Sequence, residues 1–207
     1  MRFLAILAFV LPALGAERCD VPAALAVLTR DVLQARLAQS PDDFTLNRLF
    51  VDSQTYEPQT EIDRYSALLS RHADSLDYQY LKARSLVGSN TREALRLYAQ
   101  ILEKDPDYPW VHLSQLEIFK AEGFRDRQKL EASFEVVTRA CPASFAPYYY
   151  LDQLPDHELA VRAAAKLRVM LQGAQTGRDL GAYRALWKSE LQTLPNEEVT
   201  RRIAGDV

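Results

Sequence analysis

Four segments with the same layout recur along the chain at a nearly constant interval. They begin at Leu33, Tyr65, Tyr98 and Phe134, which are 32, 33 and 36 residues apart. Each opens with a large apolar residue, places another three or four positions later, and ends in a Pro-, Asp- or Ala-containing break, as in YAQILEKDPD at Tyr98. A period in the low thirties is typical of arrays of helix pairs, in which each pair buries its apolar faces against its neighbours. The spacing therefore predicts a stack of helix pairs.

Composition agrees with a helical chain. Only 7 Gly and 10 Pro occur in 207 residues, and no stretch alternates apolar with polar positions in the way of a strand. We therefore predict an all-α protein without a sheet. Apolar spacing and break residues predict helices at about 22–39, 40–55, 60–72, 75–86, 91–104, 109–121, 130–140, 147–154, 155–172, 180–194 and from 195 onward.

The segment 75–106 resembles a tetratricopeptide repeat. The residues that carry the resemblance are, in order along the segment, Tyr78, Leu81, Ala94, Leu95, Tyr98, Asp105 and Pro106. The resemblance implies a right-handed α-solenoid of about five antiparallel helix pairs over residues 17–207. Its best repeat is 75–106, and 20–74 and 109–204 are looser copies.

Residues 1–16 have the layout of a secretory signal peptide. One arginine precedes an apolar run from Phe3 to Leu11, and small residues follow it. The run is too short to span a membrane, which takes about 20 residues. We therefore expect the leader to be removed and the protein to be exported to a bacterial periplasm or the extracellular space, with no membrane segment after removal.

Export bears on the two cysteines, Cys19 and Cys141. In an oxidising compartment they could form a disulfide that ties the N-terminal segment to the middle of the array. The alternative is two unpaired thiols, because a bond needs the two Cα atoms within about 7 Å. Neither cysteine lies in a CxxC pair, so the sequence contains no redox or zinc motif of that kind.

Charge and motifs give no sign of catalysis or of nucleic-acid binding. The net charge of −3 provides no basic stripe for nucleic acid. The histidines His72, His112 and His157 fall in different repeats without metal-ligand spacing, and no GxSxG or phosphate loop is present. We therefore expect no catalytic residue, cofactor or metal, and no enzymatic activity.

The resemblance implies a concave groove lined by the first helix of each pair. The positions that would line it are Gln79, Tyr80, Ala83, Trp110, Ser114, Glu117, Tyr149, Tyr150 and Gln153. Trp110, Tyr149 and Tyr150 would form an aromatic row. Aromatic residues are enriched at interface hot spots. The alternative is that most of these aromatic side chains belong to the core.

The predicted function is therefore an exported scaffold that binds a protein or peptide of unknown identity through this groove. One alternative is an N-terminal accessory module of a larger exported enzyme, such as a thioredoxin-like protein. Another is a hydrolase or small-molecule binder with a pocket between repeats, which a deep pocket holding buried ionisable groups would favour.

Overall fold

A computed structural model describes residues 19, 25, 28–53, 58–121, 126–173 and 180–206. All regular secondary structure within these ranges is helical, and they contain no strand. The predicted all-α class is therefore confirmed for this part of the chain. The predicted signal peptide, residues 1–16, lies outside the described residues.

The helices follow one another with short connections. They are α1 (Arg30–Gln39), α2 (Phe44–Asp52), α3 (Pro58–Arg71), α4 (Leu76–Ser85), α5 (Thr91–Lys104), α6 (Pro109–Ala121), α7 (Arg127–Ala140), a 3₁₀ helix (Ala146–Gln153), α8 (His157–Gly173), α9 (Leu180–Thr193) and α10 (Asn196–Asp206).

Short polar side chains begin several of these helices. The Oδ1 atom of Asp43 accepts a hydrogen bond from the backbone N–H of Leu46 at 2.8 Å, so α2 starts after Asp43 and not at the predicted Ser40. Asn90, and not the predicted Thr91, caps α5, because its Oδ1 atom lies 3.3 Å from the N–H of Glu93. In both cases the residue that reaches a free N–H of the first turn fixes the start.

The first predicted helix, 22–39, is wrong in its continuity. Leu25 is helical, but the helix is broken at Leu28 and Thr29 (Thr29 φ −70°, ψ 160°) and α1 begins at Arg30, while the predicted start near residue 22 lies outside the described residues. The Arg30 guanidinium donates hydrogen bonds to the carbonyl oxygens of Phe50 (3.1 Å) and Ser53 (3.3 Å) and pairs with Glu61. These contacts hold Arg30 against α2 and α3, and they cannot be read from the apolar periodicity of the segment.

Contacts between helices follow a regular scheme. Sequence neighbours α1 and α2, α3 and α4, α4 and α5, and α6 and α7 pack on one another. In addition, α2 contacts α4, α4 contacts α6, and α6 contacts the 3₁₀ helix. These four elements (α2, α4, α6 and the 3₁₀ helix) are called the helix row below.

Several polar contacts join residues that lie about one repeat period apart. They are Asp77 with Tyr108 (2.6 Å), Tyr80 with Ser114 (3.2 Å) and Asp107 with Arg139 (2.7 Å), at separations of 31, 34 and 32 residues. The interval that recurs in the sequence is thus also an interval over which side chains meet in space.

Two connected hydrophobic clusters form much of the core. One hydrophobic cluster spans α3 to α6 and includes the fully buried Tyr65, Tyr98 and Tyr108. A second cluster spans α6 to α9, and Leu113 of α6 packs against both. The two clusters are therefore connected through α6.

Cys19 and Cys141 form a disulfide in the structure, with their Cα atoms 5.4 Å apart. Both cysteines are buried against Val137 of α7. The bond fastens the segment before α1 to the C-terminal end of α7.

Candidate functional site

Charged side chains connect three successive members of the helix row. On α2, Arg48 pairs with Asp52 at 3.0 Å. Arg84 of α4 lies 2.8 Å from Asp52 and 2.6 Å from Glu117 of α6. These four residues, Arg48, Asp52, Arg84 and Glu117, are called the charged network below.

Arg48 also covers an aromatic residue of the row. The centre of its guanidinium lies 4.0 Å from the ring centroid of Trp110, a cation–π contact between α2 and α6. Trp110 is only 6% exposed. The stretch of the row between α2 and α6 is therefore filled by this pair and does not form an open groove.

A pocket of about 490 Å³ opens beside the charged network. It lies where α2 and α4 end, α3 begins and the middle of α6 passes. Its charged lining residues are Asp52, Glu61, Arg84 and Glu117, and the turn Val87–Ser89 forms one side. Gly88 in that turn has φ +91°, a backbone conformation that residues other than glycine rarely adopt.

Burial and the network together set the protonation of these groups. Burial raises the pKa of Glu117 above 4.5, and the nearby Arg84 opposes the rise. Burial likewise raises the pKa of Glu61, against the effect of Arg30. Burial alone would lower the pKa of Arg84, but Asp52, Tyr80 and Glu117 more than offset it, so the guanidinium stays charged.

The structure corrects much of the predicted groove. Tyr80, Trp110 and Tyr150 are buried, and so are Gln79, Ala83 and Ser114. Tyr80 is 2% exposed, and its ring stacks on Tyr98 at a centroid distance of 6.1 Å. Helices that pack closely need large side chains at their contacts, so these residues are core and not groove surface.

Three of the predicted groove residues do reach the surface at least in part. Tyr149 is 41% exposed. Glu117 belongs to the charged network, and Gln153 is half-buried with its Nε2 atom donating to Asp152 at 2.9 Å. The predicted aromatic row is thus reduced to Tyr149, because Trp110 and Tyr150 face the interior.

Sequence reasoning missed Arg48, Asp52 and Arg84. A signal was present, because Asp52, Arg84 and Glu117 follow one another at 32 and 33 residues and alternate in charge. These separations match the spacing of the recurring segments that begin at Leu33, Tyr65 and Tyr98. Aligning those segments for charge as well as for apolar positions would have placed the three residues in one column.

The three histidines occupy separate positions. His112 is buried, with its Nε2–H donating to the carbonyl of Pro106 (2.8 Å) and its Nδ1 atom 3.2 Å from Ser133 Oγ. His72 stacks on Tyr78, and His157 is exposed at the start of α8. Among the described residues, no group of three or more His, Cys, Asp or Glu side chains is arranged to hold a metal ion.

The described helices also include none that is long and apolar enough to cross a membrane. Comparisons of the chain with models of protein families, with curated proteins and with solved structures found no significant match.

Proposed function

We propose that this chain is an exported scaffold of tetratricopeptide-like helix pairs that binds a protein or peptide through the helix row. The observation that carries the proposal is the charged network. It places side chains from three successive helices of the row in direct contact, at the edge of a pocket. A row of neighbouring helices from several repeats can bind a partner along its length.

The periodic contacts support the repeat architecture within this proposal. The ion pair between Asp52 and Arg84 joins residues 32 positions apart, and the ion pair between Arg84 and Glu117 joins residues 33 positions apart. A right-handed solenoid of antiparallel pairs brings equivalent positions of successive first helices side by side. The order of contacts α2, α4, α6 and the 3₁₀ helix is the order that such a solenoid requires.

Two observations support export. The first is the signal-peptide layout of residues 1–16. The second is the disulfide between Cys19 and Cys141, since disulfides persist in oxidising compartments such as the periplasm or the extracellular space.

Tyr149 supports binding by the helix row. It lies on the 3₁₀ helix of the row and is 41% exposed. Tyrosine offers a large, rigid contact area with a polar end, which is why it is enriched where partners dock.

Affinity capture from the exported fraction of the host tests the proposal. Immobilised wild-type protein should retain a specific protein or peptide that Tyr149→Ala and Glu117→Ala both fail to retain. Glu135→Ala, an exposed substitution on α7 outside the row, is the matched control and should behave as wild type. Loss of retention in the control variant alone, or equal retention by all four proteins, would refute binding through the row.

A further inference from the structure

We propose that the pocket beside the charged network receives an arginine or lysine side chain of the partner. This inference rests on the proposed function and specifies the chemistry of the partner at one position. It follows from the difference in exposure between the two arginines and the two carboxylates of the charged network.

The two arginines of the network lie beneath its two carboxylates. The side chains of Arg48 and Arg84 are 9% and 15% exposed, whereas those of Asp52 and Glu117 are 31% and 42% exposed. The network is balanced in charge as a whole, but its accessible part is anionic. A partner that approaches this surface meets carboxylate oxygens first.

The carboxylates of Asp52 and Glu117 are held in place. Asp52 accepts from Arg48 through one oxygen and from Arg84 through the other. Glu117 is fixed by Arg84 at 2.6 Å. Since a carboxylate oxygen can accept more than one hydrogen bond, each group retains acceptor capacity toward the pocket while its orientation is already fixed.

Helix ends of both signs meet at the pocket. Helix α4 ends at Ser85, and its last residues line the pocket together with Val87, Gly88 and Ser89. The C-terminal end of a helix carries partial negative charge, which favours a nearby cation. Helix α3 begins at the same pocket with Pro58, and its N-terminal end carries the opposite partial charge. The negative potential of the pocket therefore comes from the exposed carboxylates of Asp52 and Glu117.

Glu61 makes the pocket more receptive to a cation. It is buried, it lines the pocket, and it is paired with Arg30 on one side. A cation in the pocket would stabilise the ionised forms of Glu61 and Glu117, whose pKa values burial raises. The volume of about 490 Å³ accommodates one extended basic side chain.

Binding to immobilised peptide libraries tests the inference. The libraries have randomised flanking positions and a central residue fixed as arginine, citrulline or glutamate. Citrulline is nearly isosteric with arginine but neutral, so the comparison isolates charge. Wild-type protein should prefer the arginine library over the citrulline library by about tenfold and should retain the glutamate library least.

Substitutions in the pocket test whether the preference for the arginine library depends on it. Asp52→Asn and Glu117→Gln should each reduce the preference for arginine to near unity, whereas Glu135→Gln on α7 should keep it. Thermal unfolding followed by circular dichroism verifies that each variant is folded. If a variant unfolds, the comparison of the arginine and citrulline libraries with wild-type protein still tests the inference, because that comparison needs no substitution in the protein.

Three outcomes would overturn the inference. They are equal binding of the arginine and citrulline libraries, an unchanged arginine preference in folded Asp52→Asn and Glu117→Gln, and binding of free L-arginine amide as tight as that of the arginine library. The last would indicate a small-amine site. If an exported partner is still captured through Tyr149 while the arginine preference is absent, the proposed function stands and only the assignment of charge fails.

Discussion

Replacing Arg84 by methionine removes the central charge of the network and keeps most of its apolar stem. Arg84 makes two charge-assisted hydrogen bonds, to Asp52 at 2.8 Å and to Glu117 at 2.6 Å. Such bonds contribute about 1.5–3 kcal/mol each when buried, but exposed ion pairs contribute about 1 kcal/mol or less. Because both carboxylates are about one-third exposed or more, we expect a total loss of about 2–4 kcal/mol in the free energy of unfolding.

Urea unfolding followed by far-ultraviolet circular dichroism measures this loss. Adding Glu117→Gln to Arg84→Met should cost little more, or recover part of the loss, because it removes the repulsion between Asp52 and Glu117. The two substitutions should therefore be coupled by about 1 kcal/mol, as expected for residues in direct contact. Arg96→Met removes an exposed pair with Glu93 within α5 and should leave the midpoint unchanged. A loss below about 0.5 kcal/mol for Arg84→Met, the range of ordinary surface changes, would refute the account of the network.

Three further predictions address the core, the disulfide and the pH dependence. Tyr98→Ala should destabilise the protein by about 3–5 kcal/mol in the same assay, because the side chain is fully buried. Cys141→Ser should lower stability by about 5 kcal/mol, the loop-entropy value for a separation of 122 residues, and calorimetry of wild type with reductant should show a similar fall. The pKa of Glu117 is raised above 4.5 in the folded protein, so ionising its carboxyl group opposes folding. As the pH rises from 4.5 toward neutrality, the urea midpoint of the wild type should therefore fall relative to that of Glu117→Gln.

The sequence predicted most helices because their apolar spacing and break residues were clear. The predicted range 109–121 matches α6 (Pro109–Ala121), and Pro109 lies at its start. Helix α9 begins at the predicted Leu180, and α10 begins at Asn196, one residue after the predicted start. Where side-chain contacts from distant segments decide, prediction failed, as at the break at Leu28 and Thr29, after which Arg30 reaches α2 and α3.

The site was harder to predict than the fold, and the reason lies in the aromatic residues. Tyr80 and Trp110 lie on the predicted first helices, but large side chains at close helix contacts become core. The sequence could not reveal that Arg48 would cover Trp110 from α2. The surface of the row is instead set by charged residues, and only Glu117 among them was predicted.

Site-specific photo-crosslinking tests binding through the helix row most directly. A benzoylphenylalanine at position 149 on the 3₁₀ helix would be irradiated in cells that express the protein, beside a control at position 169. Val169 on α8, outside the row, is 68% exposed, so both positions are accessible. Binding through the helix row predicts a discrete crosslinked partner at position 149 and none at position 169, and a partner captured only at position 169 would contradict it.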